Sequence, residues 1–523
     1  MNSRFTLNLG LRWEYIGPAH DTGGAIGSVW PSLLGQSAIP PASGTLAGNT
    51  IGPDYNLGSV NPYTGQPFGP VPSGVLVRST RSFYENGAPL DNFAPRLGFA
   101  WQPGGKQSRL SVRGGYGWFY QTPPFSGNFG FTPFFAAPPF AQSFCNSDAS
   151  NGASTLGKPF PTVTLGFVPR TPTSLLCDRV AGPNYQIPML QQWSLNARYN
   201  LSRTLSLDLG YVGTNGDHLL LVQGLNQPLL ASPANPVNCG YDGVATDCIT
   251  QNTSSNAYLR VPILGETPTA LADNHFSGRS WYQSLQATLS EQIFRGLTFQ
   301  AAYTFSKAEN NTVLYNDQND LALDWARASF DRTHRFIANF DYQLPSLSRA
   351  TGFSGTMLKG WSLSGIVIIQ SGLPMTLTDP KGGGVYGGAG ISTITLCPGS
   401  TVASLETSGR DQSRLSNWFN AGPTVICPAP VVGSDGSTGY GNLGPTAING
   451  PGQFNTDFSL GKVTTVGGIR ENAQLAFRVE FYNAFNHPQF ANPGTTFGTA
   501  NFGVITQSSV APRLIQFGLK YLF

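Results

Sequence analysis

Apolar and polar positions alternate along most of this 523-residue chain. In the first segment Phe5, Leu7, Leu9, Leu11, Trp13 and Tyr15 share one phase, while Arg4, Thr6, Asn8, Gly10, Arg12 and Glu14 take the other. Successive side chains of a β-strand point to opposite faces, so period-2 alternation predicts a strand with one apolar and one polar face. The pattern recurs in the apolar sets Phe93/Leu97/Phe99/Trp101, Leu110/Val112/Tyr116/Trp118/Tyr120, Trp193/Leu195/Ala197/Tyr199/Leu201 and Leu205/Leu207/Leu209/Tyr211. It continues in Leu285/Ala287/Leu289, Leu297/Phe299/Ala301/Tyr303/Phe305, Phe336/Ala338/Phe340/Tyr342 and Trp361/Leu363/Val367/Ile369. Phe454/Phe458/Leu460, Leu475/Phe477/Val479/Phe481 and Ile515/Phe517/Leu519/Tyr521/Phe523 complete the series. Twelve strands are therefore predicted, most of them longer than the ~5–6 residues usual in soluble proteins. They approach the ~9–11 residues that a tilted membrane-spanning strand needs.

The charges sharpen this reading. Arg12, Glu14, Arg96, Arg109, Arg113, Arg198, Asp208, Arg335, Asp341, Asp457, Arg478, Glu480 and Lys520 all fall on the polar phase. Those on the apolar phase (Glu291, Lys307, Lys462, Arg513) lie at strand ends. A lipid-facing charge costs roughly 2–4 kcal/mol at the bilayer midplane and almost nothing near the interface, so a barrel in lipid requires this placement. Aromatic residues at segment ends, such as Trp118, Tyr120 and Tyr521, suit interfacial girdles. The fold class predicted is all-β, an antiparallel transmembrane β-barrel of about 12–14 strands in this chain with long extracellular loops. The polar-phase charges are expected to line its lumen.

Composition agrees. Charged residues make up only 11% of the chain against about 25% in soluble domains, aromatic residues 12%, and Gly and Pro number 63 and 40. No apolar run approaches the ~20 residues of a transmembrane helix. A net charge of +3 offers no electrostatic case for nucleic acid. Short connections are expected after strands 2, 4, 6, 8 and 10, and long Gly/Pro/Asn/Ser-rich outer loops at about 17–92, 121–188, 214–280, 308–333, 372–452 and 487–510. The first is long enough to hold a further strand pair near Val75–Tyr84. Cys145 and Cys177, Cys239 and Cys248, and Cys397 and Cys427 fall two to a loop, which predicts three intraloop disulfides in an oxidising compartment.

Several stretches resemble the barrel of Oar-like TonB-dependent outer-membrane transporters. They include Pro95-Arg96-Leu97-Gly98-Phe99-Ala100-Trp101, Val112-Arg113-Gly114-Gly115-Tyr116-Gly117-Trp118-Phe119-Tyr120 and Phe330-Asp331-Arg332-Thr333-His334-Arg335-Phe336. The most specific is Phe477-Arg478-Val479-Glu480-Phe481-Tyr482-Asn483-Ala484-Phe485-Asn486-His487-Pro488. The C-terminal strand, with Phe517, Leu519, Tyr521 and the terminal Phe523, resembles the signal read by barrel-assembly machinery. The resemblance implies an outer-membrane location, a larger barrel of about 22 strands, and capture and passage of a substrate (peptide, protein or glycan). It also implies contact with TonB through an N-terminal plug region. Here the strand pattern starts at Arg4 with no signal peptide or plug before it, so the chain reads as the later part of such a transporter. A surface-binding or structural outer-membrane protein without transport, and a passive pore, are the competing readings.

Other motifs add little chemistry. Two G-x-G-x-x-G matches, Gly382/Gly384/Gly387 and Gly439/Gly441/Gly444, lack the strand-turn-helix context of a dinucleotide site and read as flexible loop. The five histidines are scattered, no nucleophile elbow occurs, and no cofactor, metal site or enzymatic activity is expected. Asp317, Asp320 and Asp324, with Arg327, Asp331, Arg332 and Arg335, form a dense charged stretch. It reads as an ion-pair network anchoring its loop, with a hard-cation site as the alternative. The loop aromatics Phe125, Phe129, Phe131, Phe134 and Phe135 could grip a peptide or glycan or pack loop on loop.

Overall fold

The computed structural model describes residues 4–18, 86–122, 184–239, 246–262, 268–269, 272–345, 352–466 and 473–523, together with the short strands Ile26–Val29, Val75–Leu76, Phe135–Ala136 and Arg179–Ala181. Twelve strands follow one another in a continuous antiparallel meander: β1 (Phe5–Trp13), β2 (Phe93–Trp101), β3 (Leu110–Tyr120), β4 (Met189–Asn200), β5 (Leu205–Gly224), β6 (Ala272–Phe294), β7 (Leu297–Asn310), β8 (His334–Gln343), β9 (Trp361–Gln370), β10 (Gln453–Thr465), β11 (Gln474–Tyr482) and β12 (Leu514–Leu522). Two short segments, Ala326–Arg327 and Arg179–Ala181, pair onto β7 and β6. The sheet ends at β1 and β12, so it does not close in this chain. No helix among the described residues is long and apolar enough to cross a membrane.

Every predicted strand is present, and the register holds one phase across all of them. Gly10 pairs with Arg96, Arg96 with Gly117, Ala100 with Arg113, and Arg198 with Asp208. Further on, Arg335 pairs with Gln370, Asp341 with Ser364, Ser459 with Glu480 and Ala476 with Lys520. Directly paired residues share a face, and a one-residue slip would exchange the faces. On the apolar face, glycines opposite aromatic residues admit the rings. A Cβ at Gly213 would run into Trp193, whose indole contacts Trp281 with ring centroids 5.7 Å apart. Gly365 stands likewise between Phe458 and Phe340.

The five short connections (102–109, 201–204, 295–296, 344–360 and 466–473) lie at one end of the sheet and the six long ones at the other. The tightest is the turn after β6, where Arg295 (φ 51°) and Gly296 (φ 84°) take left-handed conformations. Lys462, an apolar-phase charge, donates to the carbonyls of Thr356, Met357 and Lys359 beside the helix Gly352–Leu358, at 2.7, 3.1 and 2.6 Å, so its charge is met by backbone at this end.

Three expectations need correction. The predicted loop 214–280 is shorter, because β5 and β6 run 20 and 23 residues and stay paired beyond the alternating segment, up to Gly224 and Ala272. Register shifts between His275, Gly278 and Ser280 bend this extension. Of the candidate strand pair near Val75–Tyr84, only Val75–Leu76 lies among the described residues, and it does not join the main sheet. Val75–Leu76 pairs with Ile26–Val29, which also pairs with Phe135–Ala136, in a separate three-stranded sheet. The Gly/Pro-rich loop at 372–452 is a folded unit with its own core, although its apolar residues follow no strand or helix period. Met375, Leu377, Ile394, Leu405, Trp418, Phe419, Val425, Ile426, Leu443 and Ile448 bury themselves there with Ile505 of the last loop.

Candidate functional site

The sheet's polar face is the first candidate. Arg12, Arg96, Arg113, Arg198, Asp208, Arg335, Asp341, Asp457, Arg478, Glu480 and Lys520 share it by register, with Glu14 and Arg109 in phase just beyond β1 and β3. The structure joins three neighbouring pairs: Arg12 to Glu14 at 2.8 Å, Arg198 to Asp208 at 3.9 Å and Arg478 to Glu480 at 2.9 Å. Asp457 accepts the backbone N–H of Asn483 at 2.8 Å and anchors the end of β11. Arg96 is not clustered with Arg113. Its partner is Gly117, four residues along β3, and its guanidinium lies over the Phe119 ring at 4.9 Å. Small residues here (Gly10, Gly98, Gly115, Gly117, Ser194) floor a concavity of about 680 Å³ walled by Asn8, Arg96, Phe119, Gln192 and Thr214.

The second candidate is the cap built from the long loops. Asp331 accepts Arg327 at 2.7 Å and the amide of Ala308 at 2.8 Å, tying the 311–333 loop to the end of β7. Asp317 accepts Gln227 at 3.0 Å, and Gln318 reaches Gly224, so this loop also grips the end of β5. Asp324 accepts the Tyr315 amide at 2.8 Å, its other oxygen has no partner, and burial pushes its carboxyl up to about 6. Asp317 and Asp331 are spent on loop anchoring, and no set of three or more potential ligands among the described residues is arranged for a metal. The ion-pair and hydrogen-bond network is the reading that the geometry carries.

Arg260, unremarked in the sequence, is the pin of the cap. It is fully buried, donates to the carbonyls of Leu229, Thr253 and Val385 and to Asn256, and burial lowers its pKa. Val385 belongs to one G-x-G-x-x-G stretch, and the two stretches bind each other. Gly383 donates to Gly439, Val385 to Thr438, and the Tyr386 and Tyr440 rings stack at 4.1 Å. What reads in sequence as flexible glycine is an ordered joint, with Gly383 at φ 78° and Gly387 at φ 62°. The available signal for Arg260 was a single cation in a loop whose other charges, Asp242, Asp247 and Glu266, are acidic; its burial is met by the carbonyls around it.

The model of a family described as an outer membrane beta barrel domain matches residues 1–516. This chain belongs to that family. No curated protein matches it. Among solved structures, the barrel domain is similar to the outer membrane transporter YddB from Escherichia coli, at 11% identity and TM-score 0.38, over 82% of this chain and 40% of that one. It is also similar to Fiu, a ferric-catecholate import receptor from E. coli K12, at 11% identity and TM-score 0.37, over 100% and 43%. A third is BauA, the ferric preacinetobactin receptor from Acinetobacter baumannii, at 11% and 0.36, over 85% and 38%. The chain thus spans about two fifths of the length of these proteins. The barrel domain resides in the outer membrane.

Two of the expected disulfides are formed in the barrel domain's cap, Cys239–Cys248 and Cys397–Cys427. Cys145 and Cys177 lie outside the described residues, as do Phe125, Phe129, Phe131 and Phe134. Phe517, Leu519 and Tyr521 take the apolar phase of β12, opposite Val479, Phe477 and Leu475, and the Tyr521 and Phe523 rings stack at 5.8 Å.

Proposed function

We propose that this chain is a substrate-capturing part of an Oar-like TonB-dependent outer-membrane transporter. The observation that carries the reading is a polar face continuous in register through twelve strands, with apolar residues on the reverse face and a folded loop cap at one end. The cap binds substrate at the cell surface, and the polar face, carrying the named charges, lines the route inward. TonB coupling would run through a plug region of the kind that the family resemblance implies. Phe517, Leu519, Tyr521 and Phe523 engage the barrel-assembly machinery, and the apolar face meets outer-membrane lipid.

The test is the native mass in isolated outer membranes, by immunoblot against the loop around Cys397. A band near twice 55.8 kDa or larger is the expected result. A band at 55.8 kDa in that fraction removes TonB-driven transport from the reading.

A further inference from the structure

A cavity of about 370 Å³ opens in the cap between Glu406, Asp411, Arg414, Trp418, Ile448 and Asn449. Its walls are held rigidly. The segment 406–414 doubles back through Gly409 at φ 119° and a short 3-10 turn at Asp411–Ser413, where the Ser413 hydroxyl donates to Arg410. Arg414 lies over the Trp418 ring at 4.1 Å, and donates through Nε to the Thr407 hydroxyl at 2.9 Å and through Nη2 to the Trp418 carbonyl at 2.8 Å. Trp418 is nearly fully buried, and its indole N–H donates to the Asn449 carbonyl at 2.8 Å.

The charges lining this cavity are not spent on each other. Arg414 Nη1 has no hydrogen-bond partner among the described residues, and neither do the side chains of Glu406 and Asp411. No ion pair joins either carboxylate to Arg414. A purely anionic ligand would meet two carboxylates, and a purely cationic one would meet the fixed guanidinium. A ligand bearing both charges satisfies both walls. A planar guanidinium with unspent donors suits a carboxylate, while two carboxylates suit an ammonium. The volume falls in the range of small-molecule pockets and has room for a compound of about dipeptide size.

We propose that this cavity binds a zwitterionic ligand of the amino-acid or short-peptide class, with its carboxylate on Arg414 and its ammonium on Glu406 and Asp411. This rests on reading the cap as the capture surface and names the substrate class for it. The far wall reaches the sheet: the Asn449 side chain accepts Arg327 at 2.8 Å, and Arg327 is paired to Asp331 at the end of β7.

Calorimetric titration of the intact native outer-membrane protein, purified in detergent, with dialanine tests the site. The expected result is binding that falls at least tenfold when the dipeptide is N-acetylated, and at least tenfold when its carboxylate is amidated. The double variant Glu406→Gln/Asp411→Asn should lose the discrimination against acetylation while keeping that against amidation. These two side chains anchor nothing, so this variant retains the fold, which the intact Cys397–Cys427 bridge and an unchanged melting temperature check. Arg414→Gln should show the reverse loss. No binding at millimolar dialanine, or binding indifferent to both blocking groups, overturns the proposal. Binding without uptake by cells would leave this site standing and remove transport; uptake without binding here would do the opposite.

Discussion

On the sheet, Leu9, Leu11, Phe517 and Leu519 stand 68–74% exposed, while in the cap Leu377, Ile394 and Leu405 are fully sealed from solvent. The same residue types thus serve two surroundings. On the sheet they face a solvent that is itself apolar, so alternation is the whole requirement and side chains need not interlock. Above it the loops meet water, and their apolar residues must find one another. The cap is therefore constructed like a small soluble domain, with a shared core, a buried Arg260, stacked Tyr386 and Tyr440, and two disulfides. Small soluble folds that lack a large core are commonly stapled in this way.

The contrast can be broken from either side. Replacing Cys397 and Cys427 together with Ser opens a loop of 30 residues, which on chain-entropy grounds costs the cap about 3–4 kcal/mol. Amide hydrogen exchange should then accelerate across 372–452 while the strand amides of β7 to β9 stay protected. Leu285→Arg, on the apolar face opposite Phe305, should cost roughly 2–4 kcal/mol in a bilayer, measured by folding into vesicles. Its neighbour Gln286→Arg, on the polar face opposite Thr304, should cost little; equal effects would show that the faces are wrongly assigned. The smallest effect concerns pH. Asp324 has a folded pKa raised by burial to about 6, so its contribution is fully present below its ordinary value near 3.8 and is lost as pH rises through 6. Asp324→Asn, which keeps the acceptor for Tyr315, should slow exchange in the 311–333 loop at pH 7.5 and change little at pH 4.

The sheet was legible because one rule, period 2 with charges on the polar phase except towards strand ends, governs all twelve strands. Ile366 and Ile368 show how much local noise that rule tolerates: they sit on the polar phase opposite Asp457 and Asn455, yet β9 keeps its register. The extensions of β5 and β6 were hidden because Asn215, Gly216 and Asp217 are polar on both phases and read as loop, although backbone pairing continues through them. The core of the cap was not legible. Leu377, Ile394, Leu405 and Trp418 are spaced irregularly and joined by turns, and only contacts remote in sequence bring them together. Glu406, Asp411, Arg414 and Trp418 were missed for the same reason, though the charges of 406–414 stand out within a neutral loop. Paired cysteines were the one cap feature that sequence exposes, since each pair closes within a single loop.

The bond from Ser254 to Asp435, at 2.9 Å, spans 181 residues of chain, and the contacts from Ser437 and Ser254 hold that carboxyl well below the usual range. The contact joins the loop after β5 to the loop after β9, two loops that the strand meander carries to the same end of the sheet. The nine-residue Cys239–Cys248 loop has no such dependence and can oxidise as soon as its segment meets an oxidising compartment. The cap thus joins two kinds of contact: bridges closed within one loop, and bonds between loops that hold only where the strands beneath bring those loops together.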